Sequence, residues 1–475
     1  MSDNHKTKSA ASDLPELRIA YIGGGSLNWA VRLIGDLAAQ NQAGGAGFAA
    51  DLRLYDLDHA AAERNARLVG RYAAEGAPLR AEASRTLAGA LQGADVVVVS
   101  ILPGRFDDMA QDIAIPERYG VLQAVGDTVG PGGFVRALRA IPMIADIARP
   151  IEQYAPNAWV CNLTNPMSTL TGALYSAYPG IRAWGECHEV TKLRQIIAWL
   201  ANRREGHLRW GFRDVTVNVL GINHFTFVSS ASVGGIDMMP VYMEFARERL
   251  ATGWRATPRD PADEHARYFE DENRVKFDLA SRFGIAAAAG DRHLAEFLPQ
   301  SWYLDRHEAF GFGLTPVDYR KRDQAAKRAQ AEALDNGAPL APAQRSEEAL
   351  VDQLRALAGQ GMHLSNANLP NRGQIPNLPQ EAIVETNALF TGLGVQPVVA
   401  GALPDALAAV IAPHAMRQTA LVAAVMEERW NDLFPLFVTD PLVAPLGTDR
   451  ARAMYDEMLQ ATAAHLPEEL VQGAA

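Results

Sequence analysis

Residues 17–37, LRIAYIGGGSLNWAVRLIGDL, carry the reading that decides the fold. An apolar run of strand length ends in a glycine cluster at Gly23–Gly25, and a helix-like pattern follows. Gly23, Gly25 and Asn28 occupy the three positions of a G-x-G-x-x-G turn. Such a turn brings backbone N–H groups to a pyrophosphate at a helix start, with no side chain in the way. Asn28 replaces the third glycine, which weakens close helix–strand packing but leaves phosphate binding possible. Ser26 and Leu27 complete the loop and are expected beside the cofactor.

Outward from this loop, DLRLYDLD (51–58) reads as a second strand ending in acids. Asp56 is placed to hold the ribose hydroxyls. It lies further along than the usual ~20 residues after the loop, and the insertion NQAGGAGFAA (41–50) accounts for the delay. An acid here, with no arginine after it, favours NAD over NADP. ADVVVVSILPG (94–104) is a buried-strand run stopped at Pro103, another expected cofactor neighbour, and AWVCNLTNP (158–166) is a third such run. Apolar strands alternating with helical stretches imply an α/β protein: a parallel sheet with helices on both faces, Rossmann-like.

The expected division is a disordered tail over 1–15, a dinucleotide-binding domain over 16–200, and a mixed α+β, helix-rich domain over 201–475. In the last part, Val422, Val425, Met426, Trp430 and Leu433 share one helical face. Residues 325–359 read as a charged, alanine-rich surface helix pair without chemistry.

Composition narrows the function. The 475 residues are 48% hydrophobic and 21% charged, ordinary for a soluble globular chain. A net charge of −11 argues against a general affinity for nucleic acid or anionic membrane. The start has no apolar h-region, and runs such as ADVVVVSIL are too short for a bilayer. Two cysteines, Cys161 and Cys187, exclude a disulfide framework and point to a reducing cytoplasm.

Three polar clusters adjoin apolar segments: GECHEV (185–190), GINHF (221–225) and GDRHLAEF (290–297). They offer Cys187, His188, Asn223, His224, Asp291, Arg292, His293 and Glu296. One thiol, imidazoles and open positions suit Mn, Fe or Zn at a catalytic site, and no C-x-x-C pair exists for a closed structural zinc. The residues alone leave Cys187 as an inert core thiol, a nucleophile or a metal ligand.

Together these segments resemble glycoside hydrolase family 4, the NAD- and metal-dependent glycosidases. The likeness runs nearly end to end, through IAYIGGGSLNWA, ILPGRFDDM, VGDTVGPGG, NLTNPMSTL, GECHEV, GINHF, GDRHLAEFLP and NLPNRGQIPNLPQEAIVE. The quartet Cys187-His188-Glu189-Val190 is similar to that of the α-galacturonidases in the family. The resemblance implies a lactate/malate dehydrogenase-like architecture, NAD+ and a divalent metal, most simply Mn2+. It also implies Cys187 and His224 as metal ligands, and Asn165 and Asn223 in substrate-binding motifs.

The implied reaction on an α-linked galacturonide begins with oxidation of the sugar at C3. C2 then loses a proton, the C1 oxygen leaves, water adds and C3 is reduced again. Asp291 is the expected C2 base and His188 the leaving-group acid. Arg105, Arg292 and Arg372 are candidates for the C6 carboxylate, and Asp127 is expected to line the same cleft. The resemblance further implies a homodimer or homotetramer acting on a small-molecule substrate. An α-glucuronidase, another α-glycosidase of the family and an NAD-dependent dehydrogenase remain the alternatives.

Overall fold

The computed structural model describes residues 14–40, 47–257, 260 and 262–472. The tail expected over 1–15 and the insertion at 41–50 lie largely outside them.

The decisive stretch forms β1 (Glu16–Ile22) and α1 (Trp29–Ala38). Five further parallel strands build on β1: β2 (Ala49–Tyr55), β3 (Leu79–Ser84), β4 (Val96–Val99), β5 (Trp159–Asn162) and β6 (Arg182–Gly185). Parallel neighbours require crossovers. The chain supplies α2 (His59–Ala74), α3 (Leu87–Leu91), α4 with α5 (Phe106–Arg118 and Gly130–Tyr154) and α6 (Met167–Ala177). The order β3-β2-β1-β4-β5-β6 is that of a dinucleotide-binding Rossmann sheet. Its strands are covered on both faces, which is why β4 reads as unbroken valine. α1, α2 and the helix Leu350–Leu357 close one face, through Leu33, Leu37 and Leu354 on Ile19 and Tyr21. α5, α6 and the helix Asp405–Met426 close the other, through Ile141, Leu170 and Ile411 on Val97 and Val99.

The sheet draws on both sides of residue 200. α7 (Val190–Glu205) follows β6 and leads to a second, antiparallel sheet of β7 (Val215–Ile222), β8 (Phe225–Val233), β9 (Ile236–Asp237) and β10 (Ala286–Ala287). The chain then returns to the first sheet as β11 (His363–Pro370), β12 (Ile383–Thr391) and β13 (Gly394–Pro397). β11 runs antiparallel to β6, with Asn368 opposite Gly185. Its early residues therefore project past the carboxyl end of β6, beside GECHEV.

Two sequence expectations change. The helical face through Val422 to Leu433 is interrupted: the helix ends at Met426, Glu428 takes φ 57°, and a new helix begins at Leu433. The same residues still reach one core. The helix Asp405–Met426 is also long and apolar enough for a bilayer, contrary to the expectation that all apolar runs are too short. Leu407, Ile411, Ala415 and Val422 on it are nevertheless buried within the protein.

α4 and α5 are joined by an ion pair with both side chains fully buried. Arg139 donates to the two oxygens of Asp112 at 2.9 and 2.5 Å. Breaking such a pair strands a charge in the core. Asp112→Ala is expected to lower stability by about 3–5 kcal/mol in equilibrium denaturation. A loss below about 1 kcal/mol would mean that the pair does not bind the two helices together.

Candidate functional site

The carboxyl ends of the parallel strands gather the polar segments on one edge. Gly23 takes φ +91°, and a Cβ there would lie 1.9 Å from the Ser100 carbonyl oxygen, so only glycine lets the loop pass between the ends of β1 and β4. The N–H groups of Gly23 and Gly24 donate to Tyr55, and that of Gly25 donates to Asp56 at 2.9 Å. Asp56 therefore braces the loop as well as ending β2. Ser26 accepts from the Asn28 and Trp29 N–H groups at the start of α1, and Leu27 is half-buried beside it. Pro103 is buried just past β4. Leu57 and Leu102 stand 94% and 43% exposed at the ends of β2 and β4. This crevice lies where the strand order reverses, and its glycine turn, acid and apolar lips fit a dinucleotide.

Across the same edge β6 ends at Gly185 and delivers Cys187, 7% exposed. Asn366 of β11 donates to the Cys187 carbonyl at 2.9 Å and to Glu385 at 2.7 Å. Asn223 and His224 form the two-residue turn between β7 and β8, where His224 adopts φ 64°, a conformation rare outside glycine. The Asn223 amide donates to the same Glu385 at 3.2 Å, so Glu385 joins the histidine turn to the residue that holds the Cys187 carbonyl. The cysteine loop and the histidine turn therefore meet.

The tautomer of His224 follows from its neighbours. Thr128 donates its only hydroxyl hydrogen to Asp127 at 2.8 Å, so at 2.9 Å it must accept from His224 Nδ1. Nε2 is left as the lone-pair nitrogen, the arrangement of a metal-ligating imidazole held by an outer partner. Burial would raise the Asp127 carboxyl, but Arg320, Arg136 and the two histidines hold it at about 2. It therefore remains an acceptor.

The donor set fits an open metal site. It has the Cys187 sulfur, His224 Nε2 and nearby Asn165 and Asn223, whose Oδ1 atoms are buried without a partner. Among the described residues no group of three or more His, Cys, Asp and Glu side chains could hold an ion. Two protein ligands would leave the remaining positions to substrate and water, as catalytic rather than structural sites require. Burial, Glu385 and Glu189 push the Cys187 thiol well above its usual range, so its ionised form needs a cation beside it.

Not every expected residue faces this cleft. Asp291, the expected C2 base, is fully buried and accepts from the Val275 and Lys276 N–H groups at 3.1 and 3.0 Å. It caps the helix Arg274–Phe283, and burial with Asp271 nearby raises it to about 8. His293, two residues on, lies with its ring 3.9 Å from that of His224 and its Nδ1 unpartnered. Burial and His224 hold this imidazole well below its usual value, so it is neutral.

Glu189 fixes the approach of His293. Burial would raise its carboxyl, but Lys192, 3.3 Å away, and the surrounding histidines hold it well below the ordinary range. It accepts from the Gly290 N–H at 2.8 Å, and a Cβ on Gly290 would strike Lys192 at 2.7 Å. The GDRH turn is thereby pinned against the cysteine motif.

The arginine candidates separate. Arg372 lies beyond β11, towards the start of β6 and away from Cys187, paired with Glu381 at 3.5 Å. It is at the wrong edge for a substrate contact. Arg105 begins α4 in the loop past β4, with its side chain 69% exposed and 3.7 Å from Asp108. Arg292 is buried, donates to the Tyr268 carbonyl, stacks 4.7 Å over Phe269 and keeps an unpartnered Nε. Burial and Arg320 lower it to about 10. Sequence reasoning passed over Arg136, which donates to the Asn165 carbonyl at 3.0 Å, and Arg320, whose Nε is also unpartnered.

His188 is 30% exposed, with Nδ1 3.3 Å from Glu348 and its ring 6.0 Å from Trp29 of α1. Glu348 belongs to the stretch expected to carry no chemistry. That expectation is corrected: the helix Val317–Asp335 and the helix Leu350–Leu357 bracket a segment that reaches the site.

Residues 18–202 match the model of the family 4 glycosyl hydrolases, and residues 219–443 match that of the C-terminal domain of the same family. An α-galacturonidase of Bacillus subtilis (strain 168) is 44% identical over 449 residues, 94% of this chain and 98% of that one. A crystal structure of a candidate glucosidase, lplD, from Bacillus subtilis superposes with a TM-score of 0.88 at 42% identity, covering 94% of this chain and 100% of that one. A 6-phospho-α-glucosidase from gut microorganisms, crystallised with NAD and Mn2+, has a TM-score of 0.79 at 18% identity, covering 95% and 99%. At that identity the likeness concerns the fold.

Proposed function

The chain belongs to family 4 of the glycosyl hydrolases, and from that premise we propose that it is an α-galacturonidase dependent on NAD+ and a divalent metal, most simply Mn2+. One observation carries the mechanism: a buried thiol and an imidazole of fixed tautomer meet on the sheet edge that also bears the glycine crevice. The galacturonide is supported by the CHEV quartet and by the identity to a relative of that name.

When bound, the dinucleotide supplies reversible hydride acceptance at sugar C3, and the cation stabilises negative charge on the oxygens at C2 and C3. The chain does the rest. Asp127 and Thr128 keep His224 Nε2 pointed at the site. His293, with a neutral ring and a free Nδ1, removes the C2 proton. His188 delivers a proton to the departing C1 oxygen. Asn165 and Asn223 accept from sugar hydroxyls through their unpartnered oxygens. Arg292 and Arg320, each with an unpartnered Nε, hold the C6 carboxylate. Both cysteines are free thiols, which supports a reducing, cytoplasmic setting. The exposed apolar Leu393, Val399 and Met416 support a homodimer or homotetramer.

The test is release of galacturonic acid from short α-galacturonides, with and without NAD+ and Mn2+, beside α-glucuronides and phosphorylated disaccharides. Release from the galacturonides that needs both additions is expected. Preference for a glucuronide or a phosphorylated sugar would overturn the substrate, and no release from any would overturn the reading.

A further inference from the structure

His188, the proposed proton donor to the C1 oxygen, sits in the short loop between β6 and α7 with 30% of its side chain exposed. An imidazole on such a loop turns freely unless neighbours fix it, and a misplaced proton donor is a poor one. The neighbours that fix it come from the first turn of α1 and from the segment before the helix Leu350–Leu357.

Glu348 is the centre of this arrangement. Its side chain is 9% exposed, and one carboxylate oxygen, Oε1, lies 3.0 Å from Arg32 Nη1 and 3.3 Å from His188 Nδ1. The Glu348 N–H donates to Ser346 Oγ at 3.2 Å. Ser346 donates its N–H and its hydroxyl to the two oxygens of Asp36 on α1, at 2.5 and 2.6 Å. The Arg32 guanidinium also lies 5.4 Å over the Trp29 ring, which is itself 6.0 Å from the imidazole. Trp29, Arg32 and Glu348 therefore bracket His188.

The tautomer follows. A carboxylate that already binds a guanidinium accepts, so the ring nitrogen towards it carries the hydrogen. Nε2 is the nitrogen left. Glu189 Oε1 is 3.8 Å from it, beyond hydrogen-bond length, and that oxygen is held by Lys192 at 3.3 Å. Nε2 stays available to the substrate.

We propose that Glu348 is a positioning residue of the reaction: through Nδ1 it holds His188 so that Nε2 faces the departing C1 oxygen, and Arg32 holds Glu348 in turn. The inference rests on the proposed glycosidase reading, with His188 as its acid. α1 begins at the glycine loop, where the Trp29 N–H donates to Ser26 Oγ at 3.1 Å. The helix that receives the dinucleotide thus also sets the proton donor. Hydride transfer at C3 and departure at C1 share one scaffold.

Proton assistance matters most where the leaving group is poor. The test therefore compares methyl α-galacturonide, whose alkoxide leaves badly, with 4-nitrophenyl α-galacturonide, whose phenolate leaves unaided, both with NAD+ and Mn2+ present. In Glu348→Gln, kcat for the methyl glycoside is expected to fall by about 10- to 100-fold with KM within about twofold, on the scale of removing an outer partner of a working imidazole. The 4-nitrophenyl glycoside should lose less than about threefold. Exchange of the C2 proton with deuterated solvent should keep its wild-type rate, because it precedes departure. An equal fall with both glycosides, or exchange lost together with turnover, would overturn the proposal and leave Glu348 a structural role. Unchanged turnover of the methyl glycoside would overturn it too. Arg32→Met, on a side chain 40% exposed, is expected to give the same split at smaller size. It decides the matter if Glu348→Gln does not fold, and an equal fall with both glycosides, or none, would overturn the proposal. A wild type inactive on both glycosides would remove the glycosidase reading and this inference with it.

Discussion

Cys187→Ser is expected to lower turnover of α-galacturonides by about 10³-fold or more, on the scale of removing a main electrostatic stabiliser of the transition state. That corresponds to about 4 kcal/mol of barrier. The side chain is 7% exposed and differs from serine by one atom, so the fold should survive. The change removes the one soft donor of the site. A serine hydroxyl does not ionise in the working range, and Asn223 and His224 alone would have to retain the cation. Equilibrium dialysis against Mn2+ reads this loss without reference to activity. The wild type should bind one equivalent and the variant should bind it at least tenfold more weakly. Retention of both metal and turnover would return Cys187 to the status of a buried thiol.

His293→Gln is expected to slow exchange of the C2 proton with deuterated solvent by about 10²–10⁴-fold, the usual contribution of a general base. Asp291→Asn should leave that exchange near the wild-type rate. Its cost falls on stability, by about 1–2 kcal/mol, because it weakens a helix cap. The pair of variants separates two side chains that a linear motif places together. Residues two apart on a helix point roughly 200° away from each other, so Asp291 and His293 cannot both face the cleft. Glu189 and Gly290 set which of them does. Exchange lost in Asp291→Asn and kept in His293→Gln would reverse the assignment.

The parts of the fold that could be read from the sequence share a physical cause. Parallel strands covered on both faces must be continuous apolar runs, so β1, β4 and β5 announce themselves, and the glycine turn between β1 and α1 has few other uses. The return of β11–β13 to the first sheet was not legible. That pairing joins residues about 180 positions apart, Asn368 and Gly185, through strand pairing and an Asn368 amide that donates to the Gly185 carbonyl, which leave little trace in composition. At the site, the motifs identified Cys187, Asn223 and His224, and the structure brings all three together. The direction of Asp291 was hidden, because a polar residue that caps a neighbouring helix looks the same in sequence as one that faces a cleft. Arg372 failed for a related reason: the antiparallel course of β11 carries it to the opposite edge. Glu348 was missed within an alanine-rich charged stretch, where only the tertiary approach of Arg32 and His188 gives it a role.

The most direct measurement supplies NAD+ at a small fraction of the α-galacturonide concentration and follows galacturonate release together with absorbance from NADH. The expected result is galacturonate in many-fold molar excess over the dinucleotide, dependent on the divalent cation, with no NADH accumulating. NADH formed one for one with oxidised sugar, with the glycosidic bond intact, would contradict it and make the protein a dehydrogenase.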